Sequence, residues 1–584
     1  MVTNLMKFIM QVSVIFSIFI NVALAQNDTV IKADYVLHGG DIYTVDAMRS
    51  WADSIAIKGN KIIYVGLDKG VKSYIGEQTK VIDLKGKMVL PGFQDSHIHP
   101  VGSALNSYMC SLFGLPSIDA YLAKIKQCVA AHPDATWIHG AGWSHRVFKE
   151  FQPDKKVLDE IVSHIPFTLN SYDGHSLWAN SKALEVAGVD EKTKDVAAGK
   201  VLRYEGSNEP IGIFLEDPAA ELVMHARPAY TQKQVYDALL YVQKYLNSLG
   251  ITSVQDALIA IGGDGGIYDV IDAYHEADKK GELTMRITSA LYWDPTKGME
   301  QAAKMKRYRE KYSHDKFRVT SVKIWQDGVM HTHTSNLLEG YKDKPDEKGL
   351  VMIQQQRLNE LVVEMDKAGF QMHFHADGDA ALRLCLDAIE LALKTNGKAD
   401  NRHHIAHLEL VHPDDIPRFR ELDVVANVQP IWSTSKSYIS DLINVKIGEE
   451  RKRWLEINKT FLDQGITVAY GSDWYVTTPK PVELIEAAVT RIRPALSLKE
   501  KRNSTPLLPD ENVNVADALI SYTINGAYVN HQEKTTGSLE VGKLADIVVL
   551  DKNLFDVEPV RISETNVVLT FMDGKLVYGQ LPLK

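Results

Sequence analysis

Between residues 318 and 473 the chain alternates strand-like and helix-like stretches at a spacing that few folds can use. Residues 319–325, 370–374, 403–408, 424–428 and 466–470 are short, β-rich and apolar. Residues 354–368, 380–394, 414–422 and 453–464 lie between them and read as helices. Strand alternating with helix builds βαβ units on a parallel sheet. Reading back toward the N-terminus adds strand-like stretches at 286–292, 251–254 and 88–90. The expected strands are then 88–99, 251–256, 285–293, 318–327, 370–375, 402–408, 424–429 and 466–473. Eight such strands predict an α/β fold, a (β/α)8 barrel of the TIM type.

At 584 residues the chain exceeds what one core serves, so further units are expected. The gap between the first two strands is too long for one βα connection. Residues from about 103 to about 230 therefore read as a large insertion after the first strand, on the face where barrel active sites sit, as a lid or substrate subdomain. Outside the barrel, assigned to 88–529, residues 34–45 and 54–65 alternate and break at glycines as hairpins do. Residues 547–550 and 567–577 do the same, with Asp573-Gly574 as a turn. Neither end has strands enough for an independent sheet, so 30–87 and 530–584 read as one small β-domain built from both chain ends.

The N-terminus carries one charge, Lys7, before Asp28; residues 8–24 are mostly apolar, and Ala23-Leu24-Ala25 is a small-x-small cleavage site. Residues 1–25 thus read as a signal peptide, with a retained anchor as the alternative. The mature protein is expected to be exported, periplasmic or secreted. No later apolar run is long enough to span a bilayer, so no stable membrane insertion is expected after cleavage. A formal charge of −10 argues against a nucleic-acid partner. Cys110, Cys128 and Cys385 lack any Cys-x-x-Cys spacing, which excludes a disulfide framework or a cysteine zinc ribbon. They are expected to be buried small side chains; pairing of Cys110 with Cys128 stays open.

The chemistry concentrates at strand ends. His97 and His99 stand two apart, so on a strand both imidazoles share a face. Neutral imidazoles at a barrel mouth are good ligands for zinc-like metals. His375, His407 and Asp473 each sit where a later strand ends. Any one of them alone reads as a hydrogen-bonded structural residue. Four strands bringing such groups to one point is hard to explain structurally, because buried polar clusters are costly unless paired or metallated. Lys323 lies in the apolar strand Ser321-Val322-Lys323-Ile324-Trp325. It either snorkels to the mouth and pairs with Asp327, or its neutral amine takes up carbon dioxide as a carbamate able to bridge two cations.

These residues resemble a known family. Residues 85–99, ending Pro91-Gly92-Phe93-Gln94-Asp95-Ser96-His97-Ile98-His99, look like the first-strand signature of the amidohydrolase superfamily. Asp173-Gly174-His175-Ser176 with Asn180-Ser181-Lys182-Ala183-Leu184, residues 322–328 and 375–379, His407, and Gly471-Ser472-Asp473 resemble its family 3, which includes N-substituted formamide deformylases. Residues 537–546 resemble the entry to the family's C-terminal β-domain. The similarity covers nearly all of the mature chain. It implies that His97, His99 and Asp473 hold one divalent ion, that His375 and His407 hold a second, and that carboxylated Lys323 bridges them, zinc being the expected metal. It implies hydrolysis of an amide or formamide-type carbon–nitrogen bond by a metal-bridging hydroxide. Asp473 would carry the proton to the leaving nitrogen and His175 would orient the substrate carbonyl.

A second His-x-His, His331-Thr332-His333, follows Asp327-Gly328. It is placed in the substrate loop, outside the first ligand set. Trp143, Tyr172, Trp178, Trp325, Trp432, Trp474 and Tyr475 lie near strand ends or in the insertion. Of these, Trp143, Trp325 and Trp474, together with Asp173, are the expected substrate contacts; barrel and lid packing is the alternative. The expected partner is a small amide-type molecule, and a homodimer stays open. Two rival readings remain: a mononuclear cyclic-amidine deaminase, against which Lys323 argues, and a non-catalytic exported binding or regulatory protein on the same fold.

Overall fold

The computed structural model describes residues 30–106, 109–148, 153–196, 198–261, 269–435 and 438–581; the expected signal peptide, 1–25, lies outside them. Eight parallel strands form one sheet in chain order: β1 Phe93–Ile98, β2 Ile251–Ile259, β3 Arg286–Tyr292, β4 Phe317–Trp325, β5 Gln371–Ala376, β6 His404–His407, β7 Val425–Val428 and β8 Val468–Tyr470. Each pairs in parallel with the next, with register shifts along the first three pairings. At the top, β8 returns to β1. Asp473 N donates to His97 O at 2.7 Å, and His99 N donates to Trp474 O at 2.9 Å. Gly471 permits this approach, because a Cβ there would lie 2.5 Å from the His97 Cβ. The expected TIM-type barrel is present.

The strands are almost wholly buried because helices cover the outside. Helix Gln232–Ser248 shows why such segments form. Thr231 and Gln234 make a reciprocal capping box at its start, and Val235, Leu239, Val242 and Leu246 recur on its buried face. Gly250, in the left-handed region at φ 81°, then turns the chain into β2. Among the described residues no helix is long and apolar enough to cross a membrane.

The stretch expected as one strand, 88–99, is two. Met88–Pro91 pairs antiparallel with Ile547–Leu550 and parallel with Asp41–Tyr43, outside the barrel. Gly92 marks the crossing, and a Cβ there would lie 2.2 Å from Thr252 Oγ1 on β2. The resulting six-stranded sheet runs Lys575–Tyr578, Val567–Met572, Ile547–Leu550, Met88–Pro91, Asp41–Tyr43, Trp51–Ala52, mixing both ends of the chain. A second, four-stranded sheet uses Lys61–Gly66, Ser54–Lys58, Tyr35–His38 and Lys80–Asp83. Residues 34–45 are therefore no hairpin: their two strands belong to different sheets.

Between β1 and β2 stands a third sheet of six strands, ordered Lys200–Arg203, Pro210–Leu215, Ser176–Ala179, Phe167–Ser171, Ile138–Trp143, Cys110–Ser111, with mixed directions. Its core gathers Trp143, Trp178, Phe148, Phe167 and Leu169. Cys110 and Cys128 are joined here by a disulfide, so the expectation of three unlinked cysteines is corrected; Cys385 alone is free, and buried.

Candidate metal centre

The barrel axis collects the expected ligands. His97 is the last residue but one of β1 and His99 follows the strand, while Asp473 follows β8. The His99 Nε2 lies 3.2 Å, and the His97 Nε2 3.5 Å, from Asp473 Oδ1. Across the mouth His375 on β5 and His407 at the end of β6 have ring centroids 4.4 Å apart, and His407 lies 4.8 Å from His97. Lys323 on β4 is 1% exposed and stands in register with His373 of β5. All six line one cavity of about 220 Å3, together with His175, Asp217, Asp256 and Trp325. Two of them occupy backbone that favours glycine: His407 at φ 78° and Asp473 at φ 53°. Their backbone amides are held by neighbours, His407 N by Gln429 Oε1 at 2.9 Å and Asp473 N by His97 O. Local strain of this kind persists only where surrounding structure fixes it.

Burial sets the charges. It drives the His97 and His375 imidazoles well below their ordinary range and His407 to about 3, with the Lys323 charge adding to the effect. Burial also brings the Lys323 ammonium down to about 7, against the pull of Asp473 and Asp377. Asp473 behaves oppositely: burial resists its ionisation, but His99, His407 and Lys323 outweigh that and hold the carboxyl below its usual value. His175 Nδ1 donates to Glu216 Oε2 at 2.7 Å. Burial disfavours its charge, yet Glu216 and Asp173 raise it to about 9, so it is an imidazolium at neutral pH.

The donor set fits a metal. His97 Nδ1 meets His373 Nε2 at 2.9 Å, which fixes the ring, while its buried Nε2 has no hydrogen-bond partner and faces Asp473. A buried neutral nitrogen oriented through its other nitrogen is the arrangement of a ligating histidine. His97, His407 and Asp473 bring one ligand atom each within 4.8 Å of one another, and so do His375, Asp377 and His407.

The model of the amidohydrolase family matches residues 80–578. The chain belongs to that family. It is 31% identical to the protein LONG AFTER FAR-RED 3 of Arabidopsis thaliana, over 94% of this chain and 92% of that protein. It is 27% identical to the N-substituted formamide deformylase of Arthrobacter pascens, over 93% and 98%. In fold it is similar to an uncharacterized metal-dependent hydrolase of Pyrococcus horikoshii, with a TM-score of 0.69 at 24% identity over 90% and 99%.

This amidohydrolase places the remaining expected residues unevenly. Trp325 lines the cavity, its ring 5.7 Å from that of His175. Trp143 does not: it is fully buried in the insertion, donating from Nε1 to Leu169 O at 2.9 Å. Trp474 packs on Tyr245, with centroids 5.4 Å apart, and is absent from the cavity wall, where Tyr475 stands. Asp173 borders the cavity but is bound elsewhere: Ser171 Oγ and His175 N donate to its Oδ1, and His331 Nε2 lies 2.7 Å from its Oδ2. Burial opposes its charge; His331 outweighs burial and holds the carboxyl below the usual range. His333 faces away, pairing with Asp343 and Lys446.

Several site residues escaped the sequence reading. His373 stacks between His97 and His404, at 4.6 and 4.0 Å, and its position two before His375 is the signal that would have found it. Asp256 lies inside β2, three residues before its end, and also lines the cavity. Glu216 has no such local signal, because it meets His175 across forty-one positions.

Proposed function

We propose that this amidohydrolase is a metal-dependent hydrolase that opens an amide or formamide-type carbon–nitrogen bond. One observation carries the reading: six ligand-type side chains from β1, β4, β5, β6 and the ends of β1 and β8 converge on a single cavity, with the imidazoles of His97, His375 and His407 kept neutral by burial. His97, His99 and Asp473 would hold one divalent ion and His375 with His407 a second, zinc being the natural choice for these donors. Such a pair supplies an activated water and Lewis acidity toward a carbonyl. Lys323 suits the bridging place between the two, since an amine brought to about 7 is substantially neutral at physiological pH and open to carbon dioxide.

The protein's own groups then divide the work. Asp473, ionised at the cavity wall, takes the proton of the attacking water and returns it to the leaving nitrogen. His175, charged through Glu216, directs a donor toward the carbonyl oxygen and steadies the charge that develops there. Trp325 offers a flat apolar wall to the acyl or amine substituent. Export of the mature chain is part of the proposal, supported by the signal-like 1–25 and by the Cys110–Cys128 disulfide. The test is a screen of N-formyl and N-acyl amines on protein loaded with zinc and bicarbonate. Turnover abolished by chelation and by Lys323→Ala supports the reading. Full turnover in Lys323→Ala removes the carbamate, and no turnover of any amide removes the reaction.

A further inference from the structure

His331 belongs to none of the groups used above. It stands in the one-turn helix Met330–Thr332 after β4, and its side chain is 5% exposed. Beside the Asp173–His331 contact lies His145, whose ring centroid is 5.4 Å from that of His331. His145 begins the short helix His145–Val147 of the insertion, and Asp173 lies in the turn between two insertion strands. One ligand atom from each of His145, Asp173 and His331 lies within 4.8 Å of the other two.

We propose that these three residues form a separate site for a divalent transition metal, which clamps the insertion to the barrel. Two imidazoles and one carboxylate are a donor set that zinc, cobalt or ferrous iron accept. The positions are fixed in advance. Asp173 spends Oδ1 on Ser171 and His175, which leaves Oδ2 for the cluster, and His145 Nε2 is steadied by Ser176 Oγ at 3.2 Å. A cavity of about 20 Å3 adjoins Asp173 and His331 and is walled on its other side by His375, His407 and Asp473, so it lies between the cluster and the barrel axis, with room for one water. A plain ion pair between Asp173 and His331 does not call for the second imidazole; a cation does. The three ligands are distinct from those gathered on the barrel axis.

The experiment is metal content per chain by mass spectrometry on full-length mature protein dialysed against zinc. It compares the unaltered protein with His331→Asn, which keeps a donor for Asp173 but loses the ligating imidazole, and with His97→Ala. The unaltered protein is expected to hold about three ions, and His331→Asn one fewer with the barrel ions retained. Should His331→Asn misfold, His145→Asn is read in its place and is expected to lose the same single ion. Equal counts in the unaltered protein and the folded clamp variant overturn the proposal. A count unchanged by His97→Ala instead overturns the barrel centre, so the two failures are told apart.

Discussion

In the barrel, eight parallel strands carry buried side chains to one axis, and their order in space is their order in sequence. In the insertion, six strands of mixed direction share a sheet whose order interleaves hairpins and crossovers, and a disulfide ties its edge strand at Cys110 to the helix Ile118–Ala131. The first arrangement gathers ligands; the second gathers aromatic bulk. The difference teaches that the insertion has a core of its own and meets the cavity at its rim, through Asn170, Asp173, His175 and Asp217, with Glu216 behind His175.

The sharpest way to test that division is to empty the barrel centre. Chelation is expected to abolish turnover and zinc to restore it, and Asp473→Asn should lower kcat by about 100- to 10,000-fold, both read by steady-state assay. A smaller loss would move the proton transfer to another group. Next comes the insertion's core. Trp143→Ala should cost about 3–5 kcal/mol of unfolding free energy while the barrel's metal count stays unchanged, measured by denaturation and elemental analysis on one preparation. Loss of barrel metal in that variant would mean the two regions fold as one unit. Removing the disulfide with Cys110→Ser and Cys128→Ser should cost about 3 kcal/mol by the chain-entropy account, seen as earlier proteolysis within the insertion. The smallest effect is expected at the seam with the terminal sheets. Gly92→Ala presses a methyl on Thr252 and should cost about 1–3 kcal/mol, and a Thr252→Ala partner should recover part of it.

The same contrast governs what could be read from the sequence. Barrel strands are short, apolar and regularly spaced, so all eight were legible, and so were His97, His99, Lys323, His375, His407 and Asp473, because each sits at or near a strand end. The insertion offers no such period. Trp143 and Trp474 look like pocket residues by composition, yet one fills the insertion's core and the other packs on Tyr245. Glu216 becomes visible only once the sheet brings it to His175. The break at Gly92 was hidden because Met88–Pro91 runs into β1 with one residue between them, both are fully buried, and what separates them is the partners they find.

That partnering has a consequence for how the polypeptide is made. Leu90 pairs with Val548, and Val89 with Val549, so the central strand of the six-stranded sheet waits for a neighbour synthesised several hundred residues later. Until then Met88–Pro91 presents an unpaired apolar edge, joined without a linker to the strand that starts the barrel. During vectorial synthesis such an edge is open to wrong pairing until the C-terminal strands arrive. A chain shortened before Ile547 would keep every candidate metal ligand in its sequence and yet lack the strand that pairs with Met88–Pro91.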